Sequence, residues 1–158
     1  MSIVNYFNQL VGEKCHSVPA GRGTGSVINL NIGPQALRDK PIKNPHLSEN
    51  ARLYDSDFGL LIYSCWRMTI NGEIACSWRN AFDSMDKMLK ELDKLCGQEI
   101  VKIELCENTY DLSLSFKNGI VLDIFCDMSD EHFGDENYTF YTPGKIITIG
   151  LNSVVEIE

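Results

Sequence analysis

No stretch of this chain is apolar for long enough to cross a bilayer. The longest run, Phe58-Gly-Leu-Leu-Ile62, is far shorter than a spanning helix requires. The first residues, Met1-Ser2-Ile3-Val4-Asn5, lack the basic start and apolar stretch of a secretory signal, so a cytoplasmic location and no membrane partner are expected. The six cysteines (Cys15, Cys65, Cys76, Cys96, Cys106, Cys126) occur singly, with no Cys-x-x-Cys pair. That spacing and the absent signal point to reduced thiols rather than a disulfide framework. A zinc site would need four ligands from distant segments, with only His16, His46 and His132 to help. There is no Gly-x-Ser-x-Gly, no His-Glu-x-x-His and no Gly-Lys-Ser/Thr. No catalytic residues, metal or cofactor are therefore expected. An isoelectric point near 4.8 and the lack of a basic stripe disfavour nucleic acid as a partner.

What the chain does have is acid in one place. Between Glu107 and Asn137 stand Glu107, Asp111, Asp123, Asp127, Asp130, Glu131, Asp135 and Glu136 against one base, Lys117. That segment carries a charge of −7, whereas the whole chain carries −8. A field of one sign on part of a small domain speeds encounter with partners of the other sign. The apolar fraction, 44%, is that of an ordinary globular protein, and 158 residues suffice for a core without staples. One domain over residues 1–158 is expected.

Residues 3–12 place Ile3, Phe7, Leu10 and Val11 on one helical face, predicting a short N-terminal helix. Lys14–Val18 reads as a short strand, Gly21-Arg-Gly-Thr-Gly25 as a loop, and Val27–Ile32 as a half-buried strand. Residues 33–57 are polar, hold Pro34, Pro41 and Pro45, and read as one long connection that is mobile, functional or hides a short element. Leu60–Ile70 and Glu73–Arg79 flank Asn71-Gly72, a strong hairpin signal. A two-residue turn there sets Trp78 opposite Cys65, giving a face with Tyr63 and Arg67. Met85, Met88, Leu89, Leu92 and Leu95 recur at helical spacing, with Asp83 or Ser84 as the cap and Gly97 as the stop. Period-two alternation follows in Val101–Leu105 and Leu112–Phe116. A second Asn-Gly turn, Asn118-Gly119, leads into Ile120–Cys126. A two-residue turn there would leave Ile120, Leu122 and Ile124 facing away from Leu112, Leu114 and Phe116. Either that strand is covered on both faces or a bulge shifts its register. Closing strands are expected in Tyr138–Thr142, Lys145–Ile149 and Ser153–Ile157. The expected class is α+β, a meandering antiparallel sheet packed against one long amphipathic helix plus the short N-terminal helix.

Several constellations have a plain structural reading. The glycine loop could approach a phosphate, but a strand follows it rather than a helix, so it reads as a flexible turn. Cys15 and His16 are sequence neighbours on a strand and point to opposite faces. Asp127–Glu136 lacks the ligand order and central glycine of a calcium loop, which leaves a solvated acidic loop or a docking surface. Its aromatic neighbours Phe133, Tyr138, Phe140 and Tyr141 suit a protein-binding patch. The partner-binding candidates are Asp127, Asp130, Glu131, His132, Phe133, Asp135, Glu136, Glu107 and Asp111. Tyr63, Arg67 and Trp78 form a second candidate face, where an arginine fork and a stacking indole could hold a small acid or phosphate.

The segment Leu61-Ile-Tyr-Ser-Cys-Trp-Arg67, then Gly72-Glu-Ile, Leu112-Ser-Leu-Ser-Phe116 with Asn118-Gly119, Ile124-Phe125 and Tyr141-Thr-Pro-Gly144 resembles a group of small acidic bacterial proteins. These share an aliphatic–Cys–Trp–Arg hairpin and are similar to the immunity proteins encoded beside polymorphic or contact-dependent growth-inhibition toxins. The likeness covers roughly residues 58–150. It departs from the group where Asn80-Ala81-Phe82-Asp83 stands in place of an expected Asp-Tyr or Asp-Leu-Tyr. The resemblance implies a non-enzymatic protein that binds and neutralises a cognate toxin domain, expected to be a basic nuclease. The alternatives are a small-molecule or enzymatic domain using the Tyr63, Arg67 and Trp78 face, or an oligomeric scaffold.

Overall fold

In the computed structural model, residues 2–128 and 135–158 are described. Strands dominate them. One sheet has the order β1-β2-β3-β9-β10-β11, formed by Cys15–Ser17, Ile28–Leu37, Tyr54–Ile62, Glu136–Thr142, Lys145–Gly150 and Val155–Ile157. The other has the order β5-β4-β8-β7-β6, formed by Glu73–Ser77, Cys65–Ile70, Ile120–Phe125, Leu112–Phe116 and Ile100–Leu105. Every pairing is antiparallel. The helices are short: α1 (Ile3–Phe7), α2 (Glu49–Leu53), α3 (Asn80–Asp83) and α4 (Met85–Leu92).

The expected single sheet on one long helix is therefore wrong. Two sheets contribute to one core, including Ile28, Leu30, Ile32, Leu60 and Ile62 from the first and Trp66, Met68, Leu114, Leu122 and Ile124 from the second. The stripe from Met85 to Leu95 spans an eight-residue helix and a 3-10 turn, Asp93–Leu95, and buries Met88, Leu92 and Leu95. Ser84 stands at the N-cap position of α4 without a side-chain capping bond, and Asp83 ends α3, its carboxylate accepting from the Asn80 amide. The sheets meet at a corner. Lys14 bridges Glu99, Gly12 N–H donates to Ile100, and Cys15 N–H donates to Gln98. At the N-terminus, α1 inserts Phe7, whose ring stacks on Phe140 at 4.7 Å.

Register departs from expectation at two turns. Beside Asn71-Gly72, Ile70 pairs Glu73 and Thr69 pairs Ile74 as a two-residue turn requires, but Met68 then pairs Cys76. The bulge takes up one residue, sending Cys76 into the core and Ser77 opposite Arg67. At the second turn, three residues, Lys117–Gly119, form the loop, with Asn118 at φ 67°. Leu112 consequently faces Ile124 and Leu114 faces Leu122, so Ile120, Leu122 and Ile124 share the core face with Leu112, Leu114 and Phe116.

The stretch 33–57 is not a structureless connection. β2 continues through it to Leu37, α2 follows with the Ser48 hydroxyl accepting from Ala51 N–H, and β3 begins at Tyr54 opposite Leu37. Pro34 is tolerated because the β2–β3 pairing is broken between Ile32 and Gln35, where Gly33 has φ +86° and no ladder bond is lost.

Candidate functional site

Register places the acidic connections at one end of the molecule. Leu105 pairs Leu112, Leu112 pairs Ile124, and Ile124 pairs Trp66, so the β6–β7 loop, the exit of β8 and the entry to β4 lie side by side. The chain crosses between sheets at this end twice, through Tyr63-Ser64 and between β8 and β9.

Asn137 ties these crossings together. It is 1% exposed. Its amide oxygen accepts from Asp127 N–H at 2.8 Å, and its NH2 donates to the carbonyls of Asp127 and Gly150, each at 3.1 Å. Its own carbonyl accepts from both Tyr63 and Ser64. Tyr110 braces the neighbouring loop: its carbonyl accepts the Tyr138 hydroxyl at 2.8 Å and the Cys126 thiol at 3.3 Å. Beside this frame lies an open cavity of about 470 Å³ lined by Tyr63, Ser64, Asp127, Asp135, Glu136, Asn137 and Leu151.

The sequence candidates separate into three groups. Asp127, Asp135 and Glu136 line that cavity, and among the described residues none of them forms a salt bridge with a lysine or arginine. Asp127 and Asp135 are exposed, while Glu136 is half-buried and hydrogen-bonded to the Thr139 hydroxyl. Asp111 and Glu107 belong to the adjoining loop. The Asp111 carboxylate is occupied, accepting Cys126 N–H at 2.7 Å, and Glu107 is exposed but outside the cavity. Asp130, Glu131, His132 and Phe133 lie outside the described residues. Asp123, counted in the acidic stretch, is spent on the outer face of the second sheet, 3.7 Å from Arg67. Lys117 sits at the other end of β7 and pairs with Glu99.

Neighbouring groups register the negative field. Burial, followed by the Asp111 and Asp127 charges, pushes the Cys126 thiol up to about 12. Cys65 is raised by burial and then by Asp127, and Tyr141 by burial and then by Glu136 and Tyr63. Among the described residues, no three His, Cys, Asp or Glu side chains group to hold a metal ion.

The Tyr63, Arg67 and Trp78 face is not assembled. Arg67 lies on the outer face over Phe125, 5.2 Å from its ring centroid, while the bulge in β5 sets Ser77 opposite it and brings Trp78 N–H to the Trp66 carbonyl. Trp78 packs against the core and meets Phe82 edge-on, with Arg79 4.9 Å above it. Tyr63 belongs to the acidic cavity instead. Sequence reasoning missed Ser64, Asn137 and Leu151, since each reaches the site only through the pairing of distant strands. It also missed Met128, which stands 75% exposed beside Asp127 and had no periodic pattern to mark it.

No protein-family model matches the chain, and no curated protein or solved structure matches it significantly. Among the described residues, no helix is long and apolar enough to cross a membrane.

Proposed function

We propose that this chain is a cytoplasmic immunity-type protein. It neutralises the toxic domain of a growth-inhibition effector by binding it, with the acidic end as the contact. The supporting observation is that Asp127, Asp135 and Glu136 line one cavity and, among the described residues, form no salt bridge with a lysine or arginine. A nuclease carries a basic cleft for the phosphate backbone, and a carboxylate-lined rim with Tyr63, Tyr141 and Met128 at hand supplies both the complementary charge and apolar anchors. Inhibition then needs occupancy of the cleft and no chemistry from this chain.

The test is protection in cells. The C-terminal domain of the effector encoded beside this chain is expressed with it and without it. Survival is expected only with the intact chain, and Asp127→Ser with Asp135→Ser together should weaken protection while the protein accumulates normally. Full protection by that double variant would rule out the acidic end as the contact. Absence of protection by the unaltered chain would rule out the immunity function.

A further inference from the structure

Two segments that the acidic end leaves unexplained, the glycine loop and the proline-bearing stretch before α2, face each other across a separate cavity. It measures about 180 Å³, and its walls are Pro19, Ala20, Val27, Leu47 and Leu61. Both loops are anchored on their flanks. Ser26 accepts the Trp66 indole N–H at 2.8 Å, Pro19 accepts Asn29 N–H, and the turn carrying His46 closes on Asn44, whose carbonyl and side-chain oxygen accept the N–H groups of Leu47 and His46. Ala20 and Gly21, the smallest of its lining residues, belong to the glycine-loop side. A second hollow, about 310 Å³, opens on the far side of His46 and Leu47 toward Leu89 and Leu92 of α4.

The charge at the smaller cavity is one-sided, with Thr24 and Asn29 as neutral polar neighbours. Arg22, His46 and Asn44 stand among its lining residues, and the Asn44 NH2 is left to donate because its oxygen is taken. Among the described residues no Asp or Glu lines it, although the chain carries a net charge of −8. The one ion pair of Arg22, with Asp86 at 3.5 Å, is exposed on both sides and readily exchanged. An apolar pocket with a few convergent donors is the form taken by small-molecule sites.

We propose that this cavity binds a small organic acid, its single ring or short chain against Leu61 and Leu47 and its carboxylate toward Arg22 and His46. The site is independent of the acidic end. The test is a ¹H–¹⁵N correlation titration of the whole chain with 4-phenylbutyrate and with its neutral analogue, 4-phenylbutyramide. Saturable shifts are expected at the amides of Ala20 to Thr24, His46, Leu47 and Leu61, with the amide analogue binding more weakly. Arg22→Ser, an exposed change that leaves the fold intact, should weaken carboxylate binding about fivefold and leave amide binding unchanged. Ala20→Leu should fill the cavity and abolish both. Shifts that do not saturate, shifts located elsewhere, or equal binding of acid and amide by the unaltered chain would overturn the assignment.

Discussion

Asn137 organises the acidic end although it carries no charge. Its side chain satisfies one N–H and two carbonyls, while its carbonyl receives two more N–H groups from the crossing at Tyr63-Ser64. Removing a buried partner leaves the remaining groups desolvated and unpaired, which costs more than the bonds themselves contribute. Asn137→Ala should therefore lower stability in urea by about 2–4 kcal/mol. Asn137→Asp keeps the acceptor for Asp127 N–H but loses both donated bonds and buries a charge, so it should be no better. A loss below about 0.5 kcal/mol for Asn137→Ala would remove Asn137 from that role.

The cysteines give a second test at the residue scale. All six are free. Cys106 is exposed, and hydrogen bonds from the Thr109 side chain and backbone hold its thiol below the ordinary value. Cys15 and Cys76 are buried, and burial raises both, Cys76 to about 12. Since the thiolate is the nucleophile, iodoacetamide should modify Cys106 first as pH rises toward 8, with Cys15 and Cys76 protected until unfolding. Faster labelling of Cys15 than of Cys106 would contradict the burial described. The same shifts have a linkage consequence. A buried thiol with a raised folded value contributes stability fully present below its unfolded value of 9.0, and loses it as pH climbs toward about 12. Urea midpoints should hold level to about pH 8 and fall between about pH 9 and 12.

At the scale of elements, the two hairpins show what local sequence can and cannot carry. Asn71-Gly72 and Asn118-Gly119 are the same dipeptide, and both were legible as turns. The first closes a two-residue turn and the second is part of a three-residue loop. What selects the longer loop is the apolar alternation of the flanking strands, since only that count brings Ile120, Leu122 and Ile124 to the face of Leu112, Leu114 and Phe116. Deleting Asn118 should force either a two-residue turn with one strand's apolar set facing solvent, or a broken ladder. The expected result is loss of a cooperative thermal transition, while Asn118→Gly, which keeps the count and suits φ 67°, should unfold cooperatively within a few degrees of the parent. Cooperative folding of the deletion variant would show that the pattern does not set the register. The helix between residues 85 and 95 was legible in position and buried face. Its layer was not, because nothing local distinguishes strands that close one sheet from strands that build a second. Pro34 misled for a related reason. It argues against a strand until the bulge at Gly33 is known, and that bulge exists only where β2 meets β3.

At the scale of the whole molecule, the clustering of charge follows from topology. The sequence showed which residues are acidic but not that the β6–β7 loop, the exit of β8 and the start of β9 share one end. Pairing through Leu105, Leu112, Ile124 and Trp66 brings them together, and the same pairing leads Asp123 away to Arg67 and Lys117 to Glu99. What remains at the end is a set of carboxylates around one cavity, without a salt bridge among the described residues, and with Tyr63 and Ser64 supplied by the crossing between sheets. Such a patch acts on encounter more than on residence, so its signature is an association rate that falls with salt.

The direct measurement is stopped-flow association of this chain with the toxic domain that the proposed function assigns to it as partner, at low and high ionic strength. The parent is compared with a variant carrying Asp127→Ser and Asp135→Ser. The rate constant of the parent should drop about tenfold or more from low to high salt, and the variant should start near the lower value with a flatter slope. Equal rate constants for parent and variant at low salt would contradict the account.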